Sequence, residues 1–297
     1  MRPSELLTLT FLAALLALAL AGTPPALPSA AACAFLAACT LAVSRRAPRG
    51  SLLRDYFPAV TVILVFMVLE PVILGVNPRR WDAYFAAVDE RWFAGLVVTW
   101  RGALGRPAAL TDATYLAYAS YYLVPIAAVT LGRARGTAAG EAATFPVLLT
   151  FWVSFAGYVL LPTSGPRLGP AEEALQMGGG AVSDGVRAFL HAAEKTRLDA
   201  FPSGHTAVSL VSAWAGARAA PRLRVPLYAW ALAVVFSTVY IHVHYAVDVA
   251  AGAALAVAAA ASAGPLSRLI TSAAAAASRR LAVTRPRAGT PPPAAAG

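Results

Sequence analysis

Apolar residues occur along this chain in long runs that short, arginine-containing polar segments separate. Runs of roughly 17 to 20 apolar residues have the length of a helix that crosses the hydrocarbon core of a bilayer. The pattern therefore predicts an all-α, polytopic transmembrane helical bundle. The predicted spans, about eight in number, are residues 5–22, 29–43, 58–76, 113–132, 144–161, 204–218, 225–241 and 245–263.

Two further segments depart from the pattern of spans. Residues 82–102 mix tryptophans with charged side chains, which predicts a helix lying at the membrane interface. Residues 162–203 form the longest predicted loop, and a loop of this length is usually functional or disordered.

Composition and charge support the membrane interpretation. Hydrophobic residues make up 59% of the 297 residues and charged residues only 13%, which excludes an ordinary soluble domain. The net charge of +10 comes from arginines spread between the apolar runs, so it predicts topology and no nucleic-acid partner. Most arginines fall on one side if both termini are inside. We therefore expect a multi-pass protein of the cytoplasmic membrane.

A first candidate site lies where the sixth span begins, at Pro202-Ser203-Gly204-His205. Ser203 can cap the helix, and Gly204 leaves backbone N–H groups open to a ligand. A helix N-terminus of this kind favours a phosphate, and His205 could protonate a leaving oxygen. The alternative is an ordinary capped helix with a surface histidine.

A second candidate site lies at the junction of the seventh and eighth spans. His244 and Asp248 are four residues apart, so the carboxylate can orient one ring nitrogen while the other attacks phosphorus. A structural His–Asp contact is one alternative. A zinc site formed by His205, His242, His244 and Asp248 is another, but we expect no metal, because a zinc site needs no phosphate cradle. His242 is then an auxiliary residue beside the site.

A third polar segment, Pro162 to Arg167, ends the fifth span. The predicted topology places it on the outer face together with the two sites above, so we expect an active site that faces outside.

At this point the residues resemble a known family. Pro202-Ser203-Gly204-His205, followed by Ser237-x₆-His244-x₃-Asp248, looks like the type 2 phosphatidic acid phosphatase superfamily, which is related to the vanadium haloperoxidases. The resemblance implies that His244 forms a phosphohistidine, that Asp248 orients it and that His205 is the general acid. It also implies that Ser203, Gly204 and Ser237 bind phosphate oxygens.

The sequence also departs from the family pattern. If the family's first-motif arginine is Arg167, a phosphate-binding residue, then Leu160 stands where a lysine is usual, and Thr238 replaces the arginine that usually follows the serine. Lys195 or Arg197 could substitute for these cations. Gly-Pro-Arg, His-Tyr-x-x-Asp, Asp89-x-x-Trp92-Phe93 and a tyrosine-rich fourth span look more like the inositol phosphorylceramide synthase branch.

These observations predict a lipid phosphatase or phosphotransferase that acts on a phospholipid or isoprenoid phosphate and needs no cofactor. A non-catalytic membrane transporter or scaffold that retains the fold is the alternative. The expected partners are a lipid phosphate substrate and membrane lipids. We divide the chain into N-terminal spans with an inner loop (1–57), a catalytic membrane domain (58–264) and a basic, Ala/Pro-rich inner tail (265–297).

Overall fold

The chain is all-α, as predicted. A computed structural model describes residues 1–167, 178–193 and 195–284, and within them the only β-type pairing is one isolated bridge between Thr163 and Asp199. The helices of the first half are α1 (Pro3–Ala21), α2 (Leu27–Arg46), α3 (Leu52–Met67), α4 (Leu69–Val76), α5 (Asp82–Leu104), α6 (Ala108–Ala119) and α7 (Leu123–Arg133). Those of the second half are α8 (Thr137–Leu160), α9 (Ala181–Ala193), α10 (Gly204–Ala219), α11 (Arg224–Tyr240) and α12 (Ala246–Thr284).

The described residues contain six helical segments that are long and apolar enough to cross a membrane, or seven if α3 and α4 form one broken span. α3 and α4 meet at a 48° bend. Pro71 explains the bend, because its ring excludes the carbonyl of Met67 from helical hydrogen bonding. The six segments are Pro3–Ala21, Leu27–Arg46, Ala108–Arg133, Thr137–Leu160, Pro221–Tyr240 and Ala246–Ala277.

Eight spans are therefore not found in the part of the chain that the structure describes. The predicted span at 204–218 is α10, whose 16 residues are fewer than the roughly 20 that cross a hydrocarbon core. α10 packs against α7, α8, α11 and α12, and most of its side chains are buried. Small residues such as Ala207, Ser209 and Ala213 allow these helices to approach closely. α10 is thus the central helix of the bundle.

The N-terminal helices are attached to this bundle at two levels. Phe11 of α1 stacks on Trp152 of α8, with ring centroids 4.6 Å apart. On the side of the bundle where α8 begins, the carboxylate of Glu141 accepts the backbone N–H of Ser4 of α1 at 2.8 Å. The predicted boundary at 57 falls inside α3, so the chain passes it without leaving helix.

Two regions outside the predicted spans contain helices. The loop at 162–203 includes α9, while its residues 168–177 lie outside the described residues. α12 continues past the predicted boundary at 264 and ends at Thr284. Alanine favours helix without any amphipathic period, which explains the continuation through Ala273 to Ala277. The predicted interfacial segment is helical, as α5; its place relative to the membrane stays a prediction.

Candidate active site

The three polar segments singled out in the sequence lie together at one end of the bundle. Ala200 donates its backbone N–H to the carbonyl of Thr163 at 2.9 Å, which joins the first segment to the second. Ser203 donates its N–H to the carbonyl of Asp248 at 3.0 Å, which joins the second to the third. Backbone hydrogen bonds thus hold the three segments next to one another.

At the centre of the site, two histidines and an aspartate form a row. Nδ1 of His205 lies 3.2 Å from Nε2 of His244, and Nδ1 of His244 lies 3.4 Å from Oδ2 of Asp248. All three residues are buried. The second distance exceeds that of a normal hydrogen bond, so the His244–Asp248 contact is chiefly electrostatic as it stands.

The turn between α11 and α12 sets the position of His244. His242 adopts a left-handed conformation with φ of 60°, and the N–H groups of Val243 and His244 both donate to the carbonyl of Thr238. Asp248 then falls in the first turn of α12, where its carboxylate also accepts the N–H of Tyr245 at 2.9 Å. The four-residue spacing therefore spans a turn and a helix start, and not a continuous helix.

Ser203 and Gly204 build the N-terminus of α10. The Ser203 hydroxyl accepts the N–H of Thr206 at 3.2 Å, so it is a helix cap. A side chain at Gly204 would overlap the hydroxyl of Tyr158, so the close approach requires glycine. The remaining N–H groups of this first turn are suited to a phosphate.

Ser237, the third predicted phosphate-binding group, is fully buried near the end of α11. Its hydroxyl donates to the carbonyl of Val234 at 2.6 Å. The neighbouring Thr238 donates to Val235 at 2.7 Å in the same way. Both hydroxyls are therefore hydrogen-bonded to carbonyl groups of their own helix.

The candidate cations occupy three different positions. Arg167 forms a largely buried ion pair with Asp199, at 2.8 Å. Lys195 lines the same cavity as His205 and Asp199. Arg197 is exposed, and its backbone N–H donates to the carboxylate of Glu70. Leu160, at the position of the family's lysine, is 67% exposed.

Aromatic rings enclose His205, which the sequence analysis did not foresee. The rings of Tyr118 and Tyr121 lie 4.6 Å and 4.4 Å from the ring of His205. Their three-residue spacing places both on one face of the fourth predicted span. That spacing is visible in the sequence, but the partner of the tyrosines is not.

Two aspartates in the first half of α5 accept hydrogen bonds from backbone N–H groups next to the site. The sequence analysis did not predict these contacts. Asp82 accepts the N–H groups of Ser164 and Gly165, at 2.7 Å and 3.2 Å. Asp89 accepts the N–H of Val247 at 2.9 Å, so it caps α12 just before Asp248. Burial raises the pKa of Asp89 above its usual range, although this backbone hydrogen bond opposes the shift.

Across the described residues, no group of three His, Cys, Asp or Glu side chains has an arrangement that could hold a metal ion. The zinc alternative therefore has no assembled ligand set here, while the expectation of metal-independent chemistry stays a prediction.

Comparison with known proteins gives one match. A protein-family model described as the PAP2 superfamily covers residues 84–262, which is more than half of the chain and includes His205, His244 and Asp248. No curated protein and no solved structure matches the chain.

Proposed function

The chain belongs to the PAP2 superfamily, and from this membership we propose that it is a membrane enzyme that transfers a phosphoryl or phosphodiester-linked group from a lipid through a phosphohistidine. Membership implies a phosphatase-like or phosphotransferase-like membrane protein that acts on a phosphate ester. The covalent intermediate, the lipid substrate and the orientation facing outside the cytoplasmic membrane belong to the proposal.

The row Asp248–His244–His205 carries the proposal. With the Nδ1 proton of His244 directed at the carboxylate of Asp248, Nε2 keeps a lone pair and becomes the nucleophile. Nε2 forms a bond to phosphorus while the bond from phosphorus to the lipid oxygen breaks. His205 gives its proton to that oxygen. The oxygen of water or an alcohol then bonds to phosphorus while the bond from phosphorus to Nε2 of His244 breaks, and His205 takes the proton of that water or alcohol.

The closeness of the two rings has a consequence for substrate binding. An attacking nitrogen lies ~3 Å from phosphorus, and a proton donor lies ~3 Å from the leaving oxygen. The 3.2 Å between His205 and His244 leaves no room for a phosphoryl group between them. Substrate must therefore replace the contact between the histidines, and His205 moves away from His244 when the phosphate enters.

The negative charge of the phosphate meets the N-terminus of α10, Arg167 and Lys195. Asp199 already accepts one N–H of Arg167, so it orients the guanidinium and partly neutralises it. Lys195 lines the cavity beside His205, which makes it a better substitute than Arg197 for the missing motif cations.

The experiment measures phosphate release from dihexanoyl phosphatidic acid by the protein in detergent, together with acid-labile labelling of the protein by radioactive substrate. We expect His244→Ala to abolish both. His191→Ala, which changes a histidine outside the site, is the matched control and should keep full activity. Activity should survive EDTA, and vanadate should inhibit it.

Two results would contradict the proposal. Absence of phosphate release by wild type as well as by His244→Ala would favour the non-catalytic transporter or scaffold. Loss of activity in EDTA with recovery in zinc would require a metal mechanism. If inositol speeds the loss of the label from the protein beyond the rate of hydrolysis by water, the alcohol-transferring branch is supported.

A further inference from the structure

A cavity of about 570 Å³ runs from the candidate active site along the interior of the bundle. At the site end it is lined by His205, Lys195 and Asp199, and at the far end by Asp55 and Tyr56. Between these ends, aliphatic and aromatic side chains of α3, α7 and α8 form its walls. We call this cavity the groove.

The groove is long. On α8 its lining residues run from Thr144 to Tyr158 along one helix face, a rise of ~21 Å. On α3 they run from Asp55 to Met67, a rise of ~18 Å. Half the hydrocarbon core of a bilayer is ~15 Å thick. A groove that starts at one end of the spans therefore passes the middle of the membrane.

Its far end is polar. The carboxylate of Asp55 accepts from Arg2 at 2.7 Å and from Arg133 at 2.8 Å, so its charge is neutralised. Beside it, the hydroxyl of Tyr56 is 2.7 Å from that of Thr130, which joins α3 to α7. An apolar occupant must end at this polar floor.

The side of the groove nearer the site is open toward the surrounding bilayer. Ile63 and Met67 of α3 and Ile126 of α7 line the groove and are 51%, 46% and 40% exposed. In a bilayer these exposed edges meet lipid chains, so a chain can enter from the side while its phosphate reaches His205.

From this continuity with the site we infer that the groove binds one hydrocarbon chain of the substrate lipid and that α3 selects for its length. The inference rests on the proposed function. It concerns a helix that lies outside residues 84–262, the range shared with the superfamily. The chemical class it names is a lipid phosphate with at least one long chain.

Selection must come from fit and not from hydrophobic transfer. A chain that leaves the bilayer for the groove exchanges one hydrocarbon environment for another, so burial alone gives little preference. A chain that reaches the polar end of the groove makes favourable van der Waals contacts along its whole length. An obstacle partway along the groove removes the contacts beyond it. A substrate too short to reach the obstacle does not feel it.

The test places an obstacle in the groove. Ala59 lines it about halfway along α3, so Ala59→Phe shortens the usable length. Val60 is 48% exposed and is absent from the groove's lining, so Val60→Phe is the matched control. We expect Ala59→Phe to lower kcat/KM for dioleoyl phosphatidic acid at least tenfold and to change that for the dihexanoyl lipid less than twofold. Val60→Phe should change neither.

The unchanged turnover of the short lipid shows that Ala59→Phe is folded and that its chemistry is intact. Equal losses for both lipids, or no loss for either, would overturn the inference and leave the proposed function standing. If the wild type turns over neither lipid, the proposed function fails and chain binding is decided by a second measurement.

That measurement is photo-crosslinking with a phosphatidic acid that carries a diazirine at the end of one chain. Mass spectrometry should place the crosslinks on the α3 peptide near Tyr56, and Ala59→Phe should remove them. Crosslinks spread over the outer surfaces of the bundle would overturn the inference, because they would show that the chain stays in the bilayer.

Discussion

The guanidinium of Arg167 is placed to bind two groups, the carboxylate of Asp199 and the phosphate of the substrate. Asp199 accepts one N–H at 2.8 Å, and a phosphate in the site would require a second, adjacent pair of donors. A planar fork satisfies both at once, whereas an ammonium group does not. The residue is therefore placed to orient the phosphate as well as to neutralise it.

We expect Arg167→Lys to lower kcat/KM at least about tenfold, which is ~1.4 kcal/mol of transition-state stabilisation. Lys195→Ala should also lower it, because Lys195 lines the cavity with His205. Arg197→Ala, which changes an exposed arginine nearby, should have no effect. Steady-state kinetics on one short lipid checks all three, and full activity of the first two variants would refute this assignment of the phosphate charge.

The three residues that the sequence singles out lie together in the structure, but their contacts were less predictable. His205, His244 and Asp248 stand out because ionisable side chains near apolar runs are costly. The row they form depends on a left-handed turn at His242, which no local pattern specifies. The rings of Tyr118 and Tyr121 around His205 depend on tertiary packing between distant segments, so the tyrosine spacing alone could not predict them.

Among the helices, α5 contacts the candidate site through the side chains of Asp82 and Asp89. Asp89 caps α12 immediately before Asp248, and a side-chain cap is typically worth ~1 kcal/mol. Loss of the cap should loosen the turn that holds His244 and Asp248.

We expect Asp89→Ala to lower kcat/KM about fivefold, mainly through kcat, because ~1 kcal/mol of positioning is lost. Glu90→Ala, at the exposed neighbouring position, is the control and should be neutral. Since burial raises the pKa of Asp89, the carboxylate is protonated at a higher pH than an exposed aspartate. The advantage of wild type over Asp89→Asn should therefore shrink as the pH falls, and a constant ratio would contradict this role.

Helix existence was predictable, but the environment of each helix was not. An apolar run predicts burial and does not distinguish burial in lipid from burial in protein. The apolar run at 204–218, for example, forms α10, which four other helices surround. The bend after Met67 had a visible cause in Pro71, yet whether α3 and α4 make one span depends on the bend angle.

At the scale of the whole molecule, we predict the side of the membrane on which the candidate site lies. The arginine distribution predicts that α9 and the site lie outside and that the segment between α2 and α3 lies inside. Gly185 on α9 is exposed and has open space around it, so a cysteine fits there without strain.

We expect a membrane-impermeant thiol reagent to label Gly185→Cys in intact cells. Arg49→Cys, exposed between α2 and α3, should be labelled only after lysis. Both variants are made in a background with Cys33→Ala and Cys39→Ala, which removes the native thiols. The reverse pattern would place the active site inside the cell and would require a cytoplasmic source of substrate.

The hydrogen bond from Ser203 to the carbonyl of Asp248 also bears on how the protein is made. Synthesis proceeds from the N-terminus, so α10 enters the membrane before the residue that completes its first turn exists. His244 and its orienting carboxylate arrive together with α12. Under the proposed mechanism, a nascent chain released before this helix has been inserted would hold the proposed acid, His205, without the proposed nucleophile, His244.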